Sequence, residues 1–490
     1  MDKREYIVGI DIGSSNITMS VGTKDKDGKV SVLGVDVQEI EEGIVKSGSI
    51  ENFQEVGKAI VRAKSALEEE LKMSLNSAYI GVSGKSVYCV QYEDYVDVTN
   101  FSNCVTEYEM RELEDRIMMA VPGGGDKIID RIPLRYRVDN NADVKNPIGT
   151  YGRKITATYL IVMVDNRQED LVNRAAHYAG IKIDGLCVNP TLLPELLLSK
   201  GECEEGIAIV DIGSDVTDIS VVYDNKLCYF SSLPIGASSI NSDLRDFLQI
   251  SKKDIDILKR KYGSAVASEI DEDASVVVKN SRHGKKQVLQ RNIAEIIEER
   301  LKDITGFVSR ELRVSQSVPR IPCGLVLTGG SAYLANIEEL FERELNMDVR
   351  LGRTLNGLDE ESQEVVSPFN QAAVLGLLLY GAKHGKNDIR RQSTSPVPPV
   401  PPIVPPTVTP PVTPPVPPTV PPTVPPTVPP TVPPIVPPTV PQDEPKTDST
   451  AEPKKEPKTE PVKPQKPEKV TLGERIRRMI ERITGDDDYI

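Results

Sequence analysis

The sequence predicts an α/β protein built from two related halves and followed by a long non-globular tail. Three observations carry this. A short apolar run closing in Asp-X-Gly-Ser occurs twice, as YIVGIDIGSSN at Tyr6–Asn16 and as GIAIVDIGSDVTD at Gly206–Asp218, and an internal echo of this kind marks two copies of one supersecondary unit. Strand-like runs alternate with segments of helical period up to about residue 385, which is the pattern of α/β layers. Beyond that, Pro396–Pro441 is a near-perfect PPTV repeat with no means of burying a core.

Each half opens on a strand of β-branched residues, and the Asp-X-Gly-Ser that follows is hairpin-turn chemistry, with glycine expected to supply a positive φ. Ile17–Gly22 and Lys29–Val37 read as the next strands. Phe53–Lys72 carries Val56, Ile60, Ala63, Leu67 and Leu71 at helical spacing, and Tyr79–Val82 is a short buried strand. Residues 83–158 differ in texture: short strands, an acidic helix at Glu107–Ala120, a triple-glycine turn and VKNPIGTYGRK at Val144–Lys154. They read as an inserted subdomain for contacts. A strand (Ala157–Val164) and a helix (Gln168–Ala179, stopped by Gly180) lead towards the second turn. A second, mostly helical insert, about 236–291, ends in the basic, hairpin-like KNSRHGKKQVLQR. The amphipathic helix Ile293–Val314, the strand Gly324–Thr328, a Gly329-Gly330-Ser331 turn opening a helix Leu334–Leu345, the strand Val349–Leu351 and the apolar helix Asn370–Lys383 complete the globular part.

Bulk properties exclude several functions. The net charge is −14, and no RNA- or DNA-binding signature offsets it, which argues against nucleic acid as a partner. Six scattered cysteines without a C-x-x-C, and three histidines in all, leave no ligand set for zinc and no nucleophilic triad; reduced core thiols are the plain reading. The N-terminus lacks the apolar stretch of a signal peptide, and the longest apolar run, Ala372–Tyr380, is far too short for a bilayer span. The expectation is a cytoplasmic protein whose membrane contact is peripheral.

Two Asp-X-Gly-Ser turns facing one another would present backbone N–H groups and small hydroxyls to one anion. Asp11 and Asp211 could then hold a hydrated Mg²⁺ beside it. One such turn is weak evidence. Three ordered turns, at Asp11, Asp211 and Gly329, each after a buried strand, are much stronger, and this order resembles the actin-like ATPase superfamily. Within it the chain is similar to the bacterial cell-division family FtsA. The carriers are GIDIGSSNITMSVG, VSGKSVYC, VKNPIG, GIAIVDIGSDVTDISVV, AEIIEER, GLVLTGGSAYLANIEEL and FNQAAVLGLLLYG.

The resemblance implies an actin-like fold of two lobes, each an RNase H-like core with an inserted subdomain. Residues 1–82 would form the first core, completed by about 360–385, and 83–160 the FtsA-type insert. The second core would be 161–235, completed by about 300–359, with 236–299 as its insert, 386–470 as a disordered linker and 471–490 as an amphipathic helix. It also implies ATP and Mg²⁺ as ligands. Asp11, Gly13, Ser14, Ser15 and Asn16 would lie on one side of the phosphates and Asp211, Gly213, Ser214 and Asp215 on the other. Gly329, Gly330 and Ser331 would sit under the adenosine, with Glu295 and Glu298 facing the ribose or purine. The chain departs from the family's usual second turn, Asp-X-Gly-Gly-Gly-Thr-Thr-Asp, by Ser214, Asp215 and Val216, and has Asn16 where many relatives carry lysine. These changes predict that nucleotide binding survives and that hydrolysis is very slow or absent.

The tail reads as a membrane device, the other reading being a helix that docks on a partner or on the chain's own globular part. The PPTV tract, at ~3.1 Å per residue, reaches on the order of 140 Å when extended. Wound as a helix, Leu472–Ile483 places Leu472, Ile476, Met479, Ile480 and Ile483 on one narrow stripe, with Arg475, Arg478 and Arg482 along its flank. Arginines so placed can snorkel to lipid phosphates, although no Trp or Phe anchors the stripe and Asp486–Asp488 follow it. Lys279, Arg282, Lys285, Lys286 and Arg291 form a basic stretch suited to an acidic partner; the resemblance implies that this partner is the C-terminal peptide of the tubulin-like FtsZ. The expected function is an ATP-binding adaptor that ties FtsZ filaments to the cytoplasmic face of the cell membrane at the division site, associates with copies of itself in protofilaments and meets other division proteins. A chaperone- or kinase-type ATPase, or a pilus-assembly or plasmid-segregation relative, is the alternative. A proline spacer stands where a chaperone would need its substrate domain, and no unassigned base is available for a kinase.

Overall fold

The computed structural model describes residues 6–385 apart from 121–125, 141–142, 281–283, 316–320 and 368. Two five-stranded sheets dominate it, and they repeat one plan. In chain order the first lobe contributes β1 (Tyr6–Ile12), β2 (Asn16–Lys24), β3 (Val30–Glu39), a short β4–β5 pair (Val45–Lys46 and Ser49–Ile50), helix α1 (Phe53–Leu71) and β6 (Ser77–Val82). The inserted subdomain follows as β7 (Val87–Asp97), α2 (Glu107–Ala120), β8 (Lys127–Val138) and β9 (Lys154–Val164), and leads into α3 (Asn166–Tyr178) and β10 (Lys182–Val188). Two short helices, α4 (Leu193–Leu197) and α5 (Lys200–Glu205), bridge to the second lobe.

That lobe begins with β11 (Ile207–Ile212), β12 (Thr217–Tyr223) and β13 (Lys226–Leu233). Its insert contains α6 (Ala237–Leu248), α7 (Lys252–Tyr262), β14 (Ser275–Asn280) and β15 (Gly284–Leu289). Then come α8 (Gln290–Val314), β16 (Leu325–Thr328), α9 (Ile337–Leu345), β17 (Val349–Leu351), α10 (Glu360–Val365) and α11 (Ala372–His384). The sheet orders are β10-β6-β1-β2-β3 and β13-β12-β11-β16-β17. In each, two antiparallel hairpin partners are followed by two strands added in parallel. This is the two-lobe, actin-like α/β fold that the resemblance implies, its two sheets repeating one plan as the echoed motif predicts.

Local chemistry explains the elements. Asn52 caps α1 by accepting hydrogen bonds from the N–H groups of Gln54 and Glu55, which satisfies two of the otherwise orphaned donors. Val56, Ala59, Ile60, Ala63 and Leu67 of α1 are buried against the first sheet, each large side chain contributing about 1.5–3 kcal/mol. Helix α11 is apolar nearly all round and lies across β1, where a Cβ on Gly9 would come 3.0 Å from Leu377 Cβ. Gly180, at φ 62, ends α3 as expected.

Four expectations are corrected. The insert's strands are long, not short: β7, β8 and β9 run 11, 12 and 11 residues as an antiparallel sheet ordered β7-β9-β8. Strand β9 has two buried faces, with Ile155, Ala157, Tyr159, Ile161 and Met163 in the insert's own core and Leu160, Val162 and Val164 in the main one. Its sequence therefore lacks the polar alternation that would have given its length away. The second correction is the lobe boundary. Residues 161–188 do not open the second lobe, because β10 pairs in parallel with β6 and α3 packs on α1; the chain returns from the insert to the first sheet before crossing over. Third, the helix expected from Leu334 starts at Ile337, after a 3₁₀ turn over Gly330–Tyr333. Fourth, Gly13 and Gly213 do not take a positive φ. They are needed for close approach: a Cβ on Gly13 would lie 2.9 Å from the Asn16 carbonyl oxygen, and one on Gly213 3.2 Å from that of Val216.

Candidate nucleotide cleft

The two Asp-X-Gly-Ser turns have the same construction. The Gly13 N–H donates to the Asn16 carbonyl at 3.0 Å, and the Gly213 N–H to the Val216 carbonyl at 2.9 Å. In the first turn Ser14 Oγ accepts from the Gly48 N–H at 3.3 Å, the Ser15 carbonyl accepts from the Ile40 N–H, and Asn16 Oδ1 accepts from Thr18 Oγ1. The second turn seats the start of α6: the Ala237 and Ser238 N–H groups donate to the Gly213 and Ser214 carbonyls at 3.0 and 2.8 Å. A Cβ on Gly236 would lie 2.4 Å from the Ser214 carbonyl oxygen. Ser214 Oγ donates to Asp215 Oδ1 at 3.3 Å, so the added carboxylate is tied back to its own turn.

Three carboxylates, Asp218 buried and Asp11 and Asp211 partly buried, stand at the ends of the central strands. Asp11 ends β1 and accepts from Asn189 Nδ2 at 2.8 Å; burial pushes its pKa up to about 6, with Asn189 opposing. Asp211, at the matching place in β11, lies directly across the ladder from Asp218 of β12. Burial, then Asp218, then Asp11, hold Asp211 well above the usual carboxylate range. Asp218 is raised to about 6 by burial, against hydrogen bonds from Ser232 and Ser83. Ser83 reaches Asp218 Oδ2 from the first lobe at 2.7 Å, so this bond joins the two halves. Like charges directly opposed on a ladder destabilise it, and the first lobe avoids the problem by placing Thr18 opposite Asp11. An uncompensated arrangement of this kind suits a site that meets a cation. Among the described residues no group of three or more His, Cys, Asp or Glu side chains could cage a metal directly, so the donor set fits an ion reached through its waters, as Mg²⁺ prefers.

The third turn completes the cleft. Gly329 has φ 86, and a Cβ there would lie 2.3 Å from Asp211 Oδ1, so only glycine serves. On either side, Thr328 Oγ1 and Ser331 Oγ are buried without a hydrogen-bond partner, a cost of about 1–3 kcal/mol each that a ligand can relieve.

Glu298 is already engaged: it accepts from the Ala267 N–H at 2.8 Å and pairs with Lys302 and Arg343 at 3.0 and 2.8 Å. Glu295 lies 3.8 Å from Arg291. Sequence alone does not single out three groups at the cleft: Asn189, Ser83 and Asp218. Only Asp218 carried a signal, as the last residue of the echoed motif. Lys259 of α7 has its pKa lowered to about 8, chiefly by burial, with Asp256 opposing.

The basic stretch is a true hairpin, with Lys279 opposite Lys285 and Val278 opposite Lys286. Lys285 and Lys286 are exposed, whereas Arg291 is drawn towards Glu272 and Glu295. Arg282 lies outside the described residues. So do the linker 386–470 and the tail helix with Leu472, Arg475, Ile476, Arg478, Met479, Ile480, Arg482 and Ile483. No helix among the described residues is long and apolar enough to cross a membrane.

Comparison with known proteins agrees with this geometry. The family model described as cell division protein FtsA matches residues 208–376, and that described as the SHS2 domain inserted in FtsA matches residues 84–163, which is the β7–β9 subdomain. The chain is 27% identical over 407 residues to the cell division protein FtsA of Escherichia coli (strain K12), covering 80% of this chain and 95% of that protein. It is 28% identical over 352 residues to FtsA of Bacillus subtilis (strain 168), covering 72% and 79%. Among solved structures, the PilM-PilN type IV pilus biogenesis complex superposes with a TM-score of 0.56 at 15% identity, over 77% of this chain and 99% of that one, a likeness that bears on the fold alone. With both its second lobe and its characteristic insert matched, the chain belongs to the FtsA family of cell-division proteins.

Proposed function

We propose that this chain is an ATP-binding, actin-like adaptor that ties FtsZ filaments to the cytoplasmic face of the cell membrane at the division site. The observation that carries the nucleotide part is the meeting of three phosphate-type turns around pKa-raised carboxylates and two orphaned hydroxyls. On this reading Gly13, Ser14, Ser15 and Asn16 face Gly213, Ser214 and Asp215 across the phosphates. Asp11 and Asp211 orient the waters of Mg²⁺, and Gly329–Ser331 lie under the adenosine. The bound Mg²⁺ supplies the positive charge that lets these carboxylates ionise together. Glu295 and Glu298 are assigned to the ribose–purine side.

Hydrolysis is expected to be very slow or absent, because buried Val216 (7% exposed) has no hydroxyl to orient a water and Asp215 adds negative charge beside the phosphates. Mg-ATP raises the melting temperature of the purified chain by several degrees, with no matching phosphate release; a chain that gains no thermal stability at millimolar Mg-ATP contradicts the nucleotide assignment.

The β14–β15 hairpin, where Lys285 and Lys286 are exposed, is the proposed seat of the acidic FtsZ tail. Self-association is assigned to the insert's tip, where Tyr108 at the start of α2 and Phe101, Ile148 and Tyr151 on loops joined by the Gly149 N–H to Val105 carbonyl bond are exposed; apolar surface of this kind suits a second copy or another division protein. The tail stripe from Leu472 to Ile483, flanked by arginines, is the proposed membrane anchor.

A further inference from the structure

Resting on the nucleotide reading above, we infer that Gln168 is a positioning residue that sets the first phosphate turn from the side of the inserted subdomain. Gln168 stands in the first turn of α3, is 3% exposed, and touches none of the three motif turns directly. Its side chain grips the chain where the β4–β5 turn enters β5: Nε2 donates to the Gly48 carbonyl at 3.2 Å, and Oε1 accepts from the Ile50 N–H at 3.1 Å. The N–H of that same Gly48 donates to Ser14 Oγ. One residue, Gly48, therefore separates the amide of Gln168 from the hydroxyl that faces the distal phosphates.

Gly48 cannot drift independently. It sits at φ 76 in contact with Ser83–Gly84, where a Cβ would come 2.2 Å from the Ser83 carbonyl oxygen. Ser83 in turn holds Asp218. Gln168 thus acts on both sides of the cleft through a single glycine contact. Its own position is set by the packing of α3 on α1 and by the link to the insert at Asp165. The insert's central strand β9 ends at Val164, and Asp165 follows at once, capping α3 by accepting the Gln168 N–H at 3.1 Å. The Asp165 N–H donates to the Ser86 carbonyl at 2.9 Å, just before β7 begins. A rotation of the insert about Asp165 must move Gln168, and with it Gly48 and Ser14. Backbone groups held by a buried side chain have few alternative partners, which gives the contact two discrete states rather than a soft one.

The test uses the full chain with Mg-ATP and AMP as probes. Gln168→Met keeps the volume and removes both hydrogen bonds; Leu171→Ala, one turn on in the same helix, loosens the packing of α3 without touching Gly48. Affinities for ATP and for AMP, which does not reach the first turn, are measured by calorimetry beside the melting temperature. Gln168→Met lowers ATP affinity by about tenfold, the size of one lost positioning hydrogen bond, and leaves AMP affinity unchanged. Leu171→Ala lowers the melting temperature and leaves the ATP-to-AMP ratio intact. An unchanged ratio in Gln168→Met, or an equal change in Leu171→Ala, overturns the inference. A wild-type chain that binds neither nucleotide instead removes the reading beneath it, and that result is visible without any variant.

Discussion

At the scale of single residues, the cleft is a balance between burial and charge. Asp218 is the clearest case, because its raised pKa of about 6 against an ordinary value near 3.9 means that the folded chain binds its proton more tightly than the unfolded chain. The contribution of this group is then full below about pH 4 and is lost as pH rises to about 6. Asp218→Asn, which keeps the shape and removes the charge, should raise the stability of the nucleotide-free chain at pH 7 by on the order of 2 kcal/mol, and should flatten its loss of stability between about pH 4 and 6. Denaturant melts across that range check both. Gly329→Ala has the opposite character: with φ 86 and Asp211 Oδ1 2.3 Å from the new Cβ, the third turn must shift. Nucleotide binding should be lost, with a stability cost of roughly 1–3 kcal/mol. Asp11, Gly13, Asp211 and Gly329 were legible in the sequence because each is punctuation after an apolar strand. Asn189 and Ser83 were not, since a lone asparagine or serine has no pattern, and only folding brings them to Asp11 and Asp218.

At the scale of elements, helices that bury one stripe were found almost to the residue, as α1 and α2 show, because their period and caps are written locally. Strand partners were not. Nothing in Lys182–Val188 says that it pairs with Ser77–Val82 across the whole insert, so the lobe boundary was placed too early. The glycines of the first two turns teach a related lesson: sequence shows that glycine is needed, and only the structure shows that crowding rather than φ is the reason. Two predictions belong here. Arg300 and Asp243 join α8 to α6 by a bidentate pair at 2.7 and 2.9 Å, with side chains 15% and 12% exposed. Removing one partner, as in Arg300→Met, should cost about 3 kcal/mol because it strands the other charge, read as a lowered denaturation midpoint. Reversing the exposed hairpin lysines, Lys285→Glu with Lys286→Glu, should weaken binding of an acidic FtsZ tail peptide at least tenfold with the melting temperature unchanged. Equal affinity would move the docking site elsewhere.

At the scale of the whole molecule, the two sheets built to one plan are what the echoed motif forecast, and the SHS2-type insert at 84–163 is set into the first of them. The insert's central strand feeds directly into α3 and so into the first turn, which gives a physical route by which contacts at its tip and nucleotide in the cleft can affect one another. The adaptor account adds the tail: a tether of about eighty residues between a filament-binding body and an amphipathic end has a use only if two distant things are to be joined. The most direct test is co-pelleting with anionic lipid vesicles in the presence of FtsZ and Mg-ATP, comparing the intact chain with one ending at Val470. The account predicts that FtsZ reaches the vesicles only with the intact chain. FtsZ pelleting equally with the truncated chain, or remaining in solution with both, would contradict it.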